Sequence, residues 1–352
     1  MSDYRTPATP HFATFITLFW LSIVVLPLLS SCSILSFNQT KEDISPSIFN
    51  PQGPAANMVA NLSWLMFGLA GAVFLLVMGV LILGLVRSRP DVSLHESNPA
   101  QDRRFIVFGG LLLPAVVLGI VYVSAIWTMR ALAAPAEADE IVIEIVGHQY
   151  WWEIHYPDFE VTTANEIHLP AGQPVRLRVT SADVIHSFWV PELHGKIDLI
   201  PGQVNGFWLQ ADEPGIYLGL CAEFCGVQHA KMLLRVVAEP PERFAAWLEH
   251  QAEPAAAVTG SELEEGQQVF FNSGCMNCHT VRGTNASGTE GPDLTHLASR
   301  LTLAAGVLEN NRGNLGGWVV NPQHLKPGNH MPPSALTGLE LQALLTYLES
   351  LE

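Results

Sequence analysis

The sequence predicts a multidomain chain: a transmembrane α-helical hairpin, then a small β-sandwich or barrel, then a helical domain. Three observations carry that expectation. No Asp, Glu, Lys or Arg occurs in residues 6–40, 44–86 or 105–129, all within the first 130 of 352 residues. From Glu140 onward, short β-rich runs alternate with turn residues. Beyond about residue 260, two helical stretches flank a second pair of cysteines. A length of 352 residues fits roughly two to three domains.

Composition narrows the classes. Charged residues make up 14% and apolar residues 49%, against about 25% charged in a soluble domain. A purely soluble enzyme and an intrinsically disordered chain are both excluded. The net charge of −16 argues against nucleic acid as a partner, since phosphate binding needs clustered Lys and Arg. Residues 1–130 sum to +1 and residues 131–352 to −17, so an almost neutral apolar front precedes an acidic rear.

Crossing a bilayer takes about 20 apolar residues. The stretches at about 58–86 and 105–129 satisfy this, and a buried soluble helix of that length would carry a polar face. Residues 55–130 therefore read as a two-helix hairpin. Its loop holds Arg87, Arg89, Arg103 and Arg104, whereas the outer flanks hold only Lys41 and Arg130. The positive-inside tendency puts the loop in the cytoplasm. Everything after Arg130 then lies on the periplasmic or extracellular side of a bacterial inner membrane. The first apolar run ends in Leu29-Ser30-Ser31-Cys32, which resembles a lipoprotein cleavage box. Residues 1–32 read as a signal peptide with Cys32 as the lipidated residue. A third transmembrane helix is the alternative, because Asp3 cancels Arg5 in the leading segment.

Residues 136–240 contain the runs IVIEIVGHQYWW, HLPAGQPVRLRVTS, VIHSFWV, NGFWLQ, GIYLGLC and MLLRVVA. Evenly spaced turns between them suggest a sandwich or barrel of about 100 residues. The segment CAEFCGVQHAKM, from Cys221 to Met232, lies at its end, and His186 lies 35 residues before Cys221. A mononuclear blue copper site uses two His, one Cys and a weak Met. Here a second Cys is added, and two thiolates can each bridge two metals. The pattern suits a dinuclear copper centre (CuA): Cys221 and Cys225 as bridges, His186 and His229 as terminal ligands, Met232 and the Glu223 carbonyl as weak ligands. A disulfide and a zinc site are the alternatives, although Met is a poor zinc ligand.

Here the chain resembles subunit II of the haem–copper cytochrome c oxidases. The resemblance rests on GHQ at 147–149, VIHSFWVP from Val184, KIDLIPG from Lys196 and CAEFCGVQHAKM, and covers roughly residues 55–240. It implies a cupredoxin-like fold, a copper pair, and a magnesium ion reached by Glu223 at the interface with subunit I. Two departures stand out. Tyr150 occupies the position where the family has Trp for electron input, with Trp151 and Trp152 following. Val107 stands where the family often has a Glu near a proton channel, leaving Glu96 or Asp102 as weak substitutes.

Residues 241–260 read as a short helical piece and a Pro/Ala linker. Then Cys275-Met-Asn-Cys278-His279 forms a C-x-x-C-H motif, in which two thiols attach haem covalently and the His ligates iron. With Gly291-Pro292-Asp293-Leu294, KPGNHMPP from Lys326 and a last helix at about 337–351, residues 261–352 resemble class I cytochrome c, an all-α domain. Met331 reads as the second axial ligand, with His330 and His324 as alternatives. His148, His155, His168, His194, His250 and His296 read as surface or packing residues.

Together these resemblances imply an electron-transfer subunit of a terminal oxidase. Its partners would be subunit I and other oxidase subunits, a donor cytochrome or upstream respiratory complex, and membrane lipid. A copper-centre subunit of a nitric oxide reductase is the alternative.

Overall fold

The computed structural model describes residues 46–87, 99–133 and 141–352, all within one compact unit. Residues 1–32 with Cys32, and Arg89 and Glu96 of the hairpin loop, lie outside the described residues.

Helix α1 (Pro54–Arg87) is apolar on every side, and side chains such as Leu75, Leu85 and Val86 are exposed. That is the pattern of a helix solvated by lipid. Its partner runs as α2 (Pro99–Phe105), a π-helical turn (Ile106–Leu112) and α3 (Leu113–Leu132). Pro114 explains the interruption: it lacks an N–H and its ring crowds the carbonyl four residues back, so a wider turn precedes it. Both helical stretches are 34 residues long, or about 50 Å at 1.5 Å per residue, which exceeds the hydrocarbon core. The surplus at the start of α1 packs on the sandwich, where Ala55, Ala56 and Ala60 are buried. The Gln52 N–H donates to Glu192 O at 2.7 Å and the Asp212 N–H to Gln52 O at 2.8 Å.

The middle region is a two-sheet sandwich. One sheet has the order β3-β2-β1-β5-β8 and the other β4-β10-β9-β6-β7. The strands are β1 (Val142–His148), β2 (Trp151–Tyr156), β3 (Val161–Ala164), β4 (Glu166–Pro170), β5 (Val175–Ser181), β6 (His186–Trp189), β7 (Ile197–Leu199), β8 (Asn205–Leu209), β9 (Gly215–Cys221) and β10 (Leu233–Glu239). Strict alternation of buried and half-buried residues along β1, β2 and β10 follows from the two-residue side-chain period. Ile143, Ile145, Ile154, Leu177, Phe188 and Val236 fill the shared core. The six β-rich runs account for most strands. The short β3 and β7 fall outside them, because three or four residues carry too little alternation to read.

Helix α4 (Pro241–Ala252) closes one end of the sandwich. Phe244 and Leu248 enter its core, and Trp247 stacks on His168 with ring centroids 4.0 Å apart. The helical domain follows: α5 (Ser261–Asn272), α6 (Arg312–Val320), α7 (Pro322–Leu325) and α8 (Gly338–Glu349), with two short two-residue ladders. Helix α5 crosses α8, and Phe270 meets Tyr347 edge-on at 5.8 Å.

On the outer face of the first sheet, Glu153 lies 3.0 Å from His148 Nε2 and 3.4 Å from His155 Nε2. Burial opposes ionisation of Glu153, but hydrogen bonds from both histidines outweigh it and hold the carboxyl at about 2. The hydrogen bond to Glu153 raises His155, against the opposing effect of burial. The lowered acid contributes stability above its unfolded pKa near 4.5, lost as pH falls toward 2. The raised base contributes below its unfolded value near 6.5, lost as pH rises through its folded value. Glu153→Gln should therefore destabilise the sandwich most between about pH 4.5 and 6.5, by about 1 kcal/mol for a partly exposed pair. Thermal melts across pH check this; a pH-independent loss would show the ion pair is not responsible.

Candidate metal and haem sites

Cys221 ends β9, and the chain then turns tightly so that Cys225 and His229 come back beside it. The two Sγ atoms lie 3.8 Å apart and are not bonded to each other. Cys221 Sγ lies 3.9 Å from His186 Nδ1, and Cys225 Sγ lies 3.8 Å from both His229 Nδ1 and Met232 Sδ. The Glu223 carbonyl is 3.2 Å from Cys221 Sγ, whereas the Glu223 carboxylate turns outward to Lys196 Nζ at 3.4 Å. All six residues singled out in the sequence thus converge. His186 and Met232 are fully buried. His186, Cys221 and Cys225 form a candidate metal site by donor geometry alone. Hydrogen bonding between the thiols favours the thiolate on Cys221 and, with burial, disfavours it on Cys225.

Two glycines make the geometry feasible. A Cβ at Gly147 would stand 2.8 Å from the His186 ring, so β1 can pass the ligand only as glycine. Gly226 has φ +134° and sits under Tyr150, a conformation open to glycine. An outer contact that the sequence did not signal fixes His186: its Nε2 meets Asp183 Oδ1 at 2.8 Å. Such partners set ring orientation and tautomer. Burial opposes the Asp183 charge, but hydrogen bonds from His186, Val184 and Gln149 hold its carboxyl below the usual range.

The helical domain bounds most of a partly open cavity of about 430 Å³, with Cys275, Cys278, His279 and Met331 on its lining. His279 is packed against Gly291 and donates from Nδ1 to Pro292 O at 2.7 Å, leaving Nε2 for a metal. Burial pushes the imidazole pKa down, which keeps it neutral for ligation. His330 also lines the cavity; His324 is not among the lining residues. The lining includes Arg300, whose guanidinium donates to Asp293 O while its Nε has no protein partner. An anionic group in the cavity would satisfy it. Both donor sets fit their expected groups: sulfur and imidazole for copper, and two thiols, an imidazole and a thioether around an apolar cavity for haem.

The sandwich contributes to the same cavity. Tyr150 and Trp151 line it. Tyr150 Oη accepts from the Val227 N–H at 3.2 Å, and Gln149 Nε2 donates to Cys225 O at 2.5 Å. Trp151 stacks on His148 at 4.4 Å. Trp152 does not join them: it is fully buried in the core, edge-on to Phe188 at 6.1 Å.

Residues 160–239 match the family described as cytochrome c oxidase subunit II, periplasmic domain, and residues 263–352 match cytochrome c. Cytochrome c oxidase subunit 2 of Alkalihalophilus pseudofirmus is 33% identical over 312 residues, covering 86% of this chain and 90% of that one. The same subunit of Bacillus sp. strain PS3 is 32% identical over 68% of this chain and 72% of its own. The chain belongs to the cytochrome c oxidase subunit II family. In that family's periplasmic domain the Cys221, Cys225 and His186 cluster implies copper, and the cytochrome c match implies haem. The crystal structure of the periplasmic domain of subunit II from Bradyrhizobium japonicum is 33% identical, covering 33% of this chain and 95% of that chain, with a TM-score of 0.32. The periplasmic-domain match and the two apolar helices together describe a membrane-anchored oxidase subunit with a periplasmic domain.

Proposed function

We propose that this subunit carries electrons from an external donor, through its helical domain and then its sandwich, to subunit I of a terminal respiratory oxidase. There oxygen is reduced to water with proton pumping. Bound haem c and two copper ions would supply one-electron chemistry, while the protein sets distance and potential. Cys275 and Cys278 would tether the haem, and His279 and Met331 would be its axial ligands. Cys221 and Cys225 would bridge the coppers. His186 and His229 would be terminal ligands, and Met232 and the Glu223 carbonyl weak ones. The outward carboxylate of Glu223 would meet magnesium at the subunit I interface. Cys32 would carry lipid in the bacterial inner membrane.

One observation carries this reading: the cavity that holds the C-x-x-C-H motif is walled by Tyr150 and Trp151 of the sandwich. Tyr150 in turn hydrogen-bonds the 225–227 loop. The position used for electron input in the family therefore faces the chain's own helical domain. A soluble donor would dock on that domain instead. Its net charge of −5 over residues 261–352 would attract a basic partner at low ionic strength.

Stopped-flow reduction of the full chain by a basic cytochrome tests the order. Haem absorbance should change first and the copper band afterwards; simultaneous, independent changes would sink the relay. Met331→Ala should abolish the weak absorption at the red edge that marks sulfur–iron ligation and lower the haem potential. Survival of that band would reassign the ligand.

A further inference from the structure

The seam between sandwich and helical domain contains a buried lysine that the relay reading leaves unused. Lys326 follows α7, and its side chain is 2% exposed. Its Nζ donates to Tyr150 O on the sandwich at 3.0 Å and to Ala304 O of the helical domain at 3.0 Å. Both partners are carbonyls, so no carboxylate offsets the cost of burying the ammonium. Burial pushes its pKa down to about 7, with Lys231 acting in the same direction and Cys225 against it. A methionine would fill this volume without that cost. What lysine adds is a pair of directed bonds, one to each side of the seam.

The backbone opposite is shaped for this contact. Ala304 and Ala305 both adopt left-handed conformations, φ 54° and 57°, which side chains with a Cβ disfavour. That turn aims the Ala304 carbonyl at Lys326 and the Ala305 carbonyl at the Leu233 N–H, 3.0 Å away at the start of β10. Further bonds cross nearby: the Thr302 N–H donates to Glu166 Oε1 at 2.9 Å, and Gln228 Nε2 to Pro327 O at 2.7 Å.

We propose that Lys326 is a positioning residue that pins the Tyr150 carbonyl to the helical domain and holds the haem cavity in fixed register against Tyr150 and the 225–227 loop. This rests on the relay reading for its functional consequence, since the protein's part in electron transfer is to fix the distance and orientation of the two centres. The docking itself does not rest on it.

The test uses the full chain, loaded with haem and copper, as wild type, Lys326→Met and Lys326→Arg. Hydrogen exchange at the Leu233 and Thr302 amides reads the seam. Flash-induced equilibration between haem and copper reads positioning. Lys326 also lines the haem cavity. Lys326→Met should speed exchange at both amides at least tenfold and slow equilibration several-fold, with haem and copper still loaded. Lys326→Arg should recover part of both. Should the Met variant fail to load, Lys326→Gln replaces it. Unchanged exchange, or faster exchange with unchanged equilibration, overturns the proposal. Absence of equilibration in the wild type would instead overturn the relay reading, and exchange would then decide the pin alone.

Discussion

Cys225→Ser should eliminate the dinuclear copper centre and leave one copper or none per chain. Cys225 Sγ is the hub of the cluster, 3.8 Å from each of Cys221 Sγ, His229 Nδ1 and Met232 Sδ. A serine hydroxyl keeps the shape but does not ionise near neutral pH, so it cannot bridge two metals. An electron shared equally by two copper nuclei splits a resonance into seven lines, and a single copper gives four. The expected result is loss of the seven-line signal, measured copper falling by at least half, and haem-supplied turnover dropping by more than about 100-fold. That scale follows because even outer partners of metal ligands cost about 10- to 100-fold when removed. Asp183→Asn, which alters only the contact to His186, should fall in that smaller range. Two coppers retained in Cys225→Ser would refute the bridging role.

The second large effect is structural as well as chemical. Replacing Cys275 and Cys278 together by alanine should release haem from the polypeptide under acid–acetone extraction, which leaves wild-type haem attached. The apolar cavity is about 430 Å³. Without haem that lining is left to water and loses the packing the haem would supply, set against a whole stability of about 5–15 kcal/mol for a small domain. The double variant should therefore lose much of the helicity of α5–α8, read by far-ultraviolet circular dichroism, while the sandwich retains its copper signal. Full helicity without haem would mean that the cavity closes on its own and that the haem serves redox chemistry alone.

Much of this was legible along the chain. The membrane hairpin followed from charge-free stretches, because a bilayer excludes ionised side chains over a fixed thickness. The copper cluster was readable because five of its six residues sit within one twelve-residue segment, and short-range spacing is set by local turns. The C-x-x-C-H motif was readable for the same reason. His186 was readable only through the copper donor set, which calls for a second histidine, since 35 residues of sandwich separate it from Cys221. Asp183 gave no signal, because one aspartate three residues from a histidine is common and only the strand geometry aims it at Nε2. The three consecutive aromatics could not be ranked from sequence. In β2 neighbouring side chains point to opposite faces, which sends Trp152 into the core while Trp151 lies at the haem cavity.

The sequence by itself determined the two apolar helices, the Cys-, His- and Met-bearing motifs and the order of the domains, since each is written in local composition or close spacing. Only the tertiary structure decided how the helical domain meets the sandwich. That contact joins Tyr150, Glu166 and Leu233 to Lys326, Thr302 and Ala305, residues 72 to 176 positions apart. Bonds at such separations depend on where two finished surfaces touch, and no periodicity or motif encodes them.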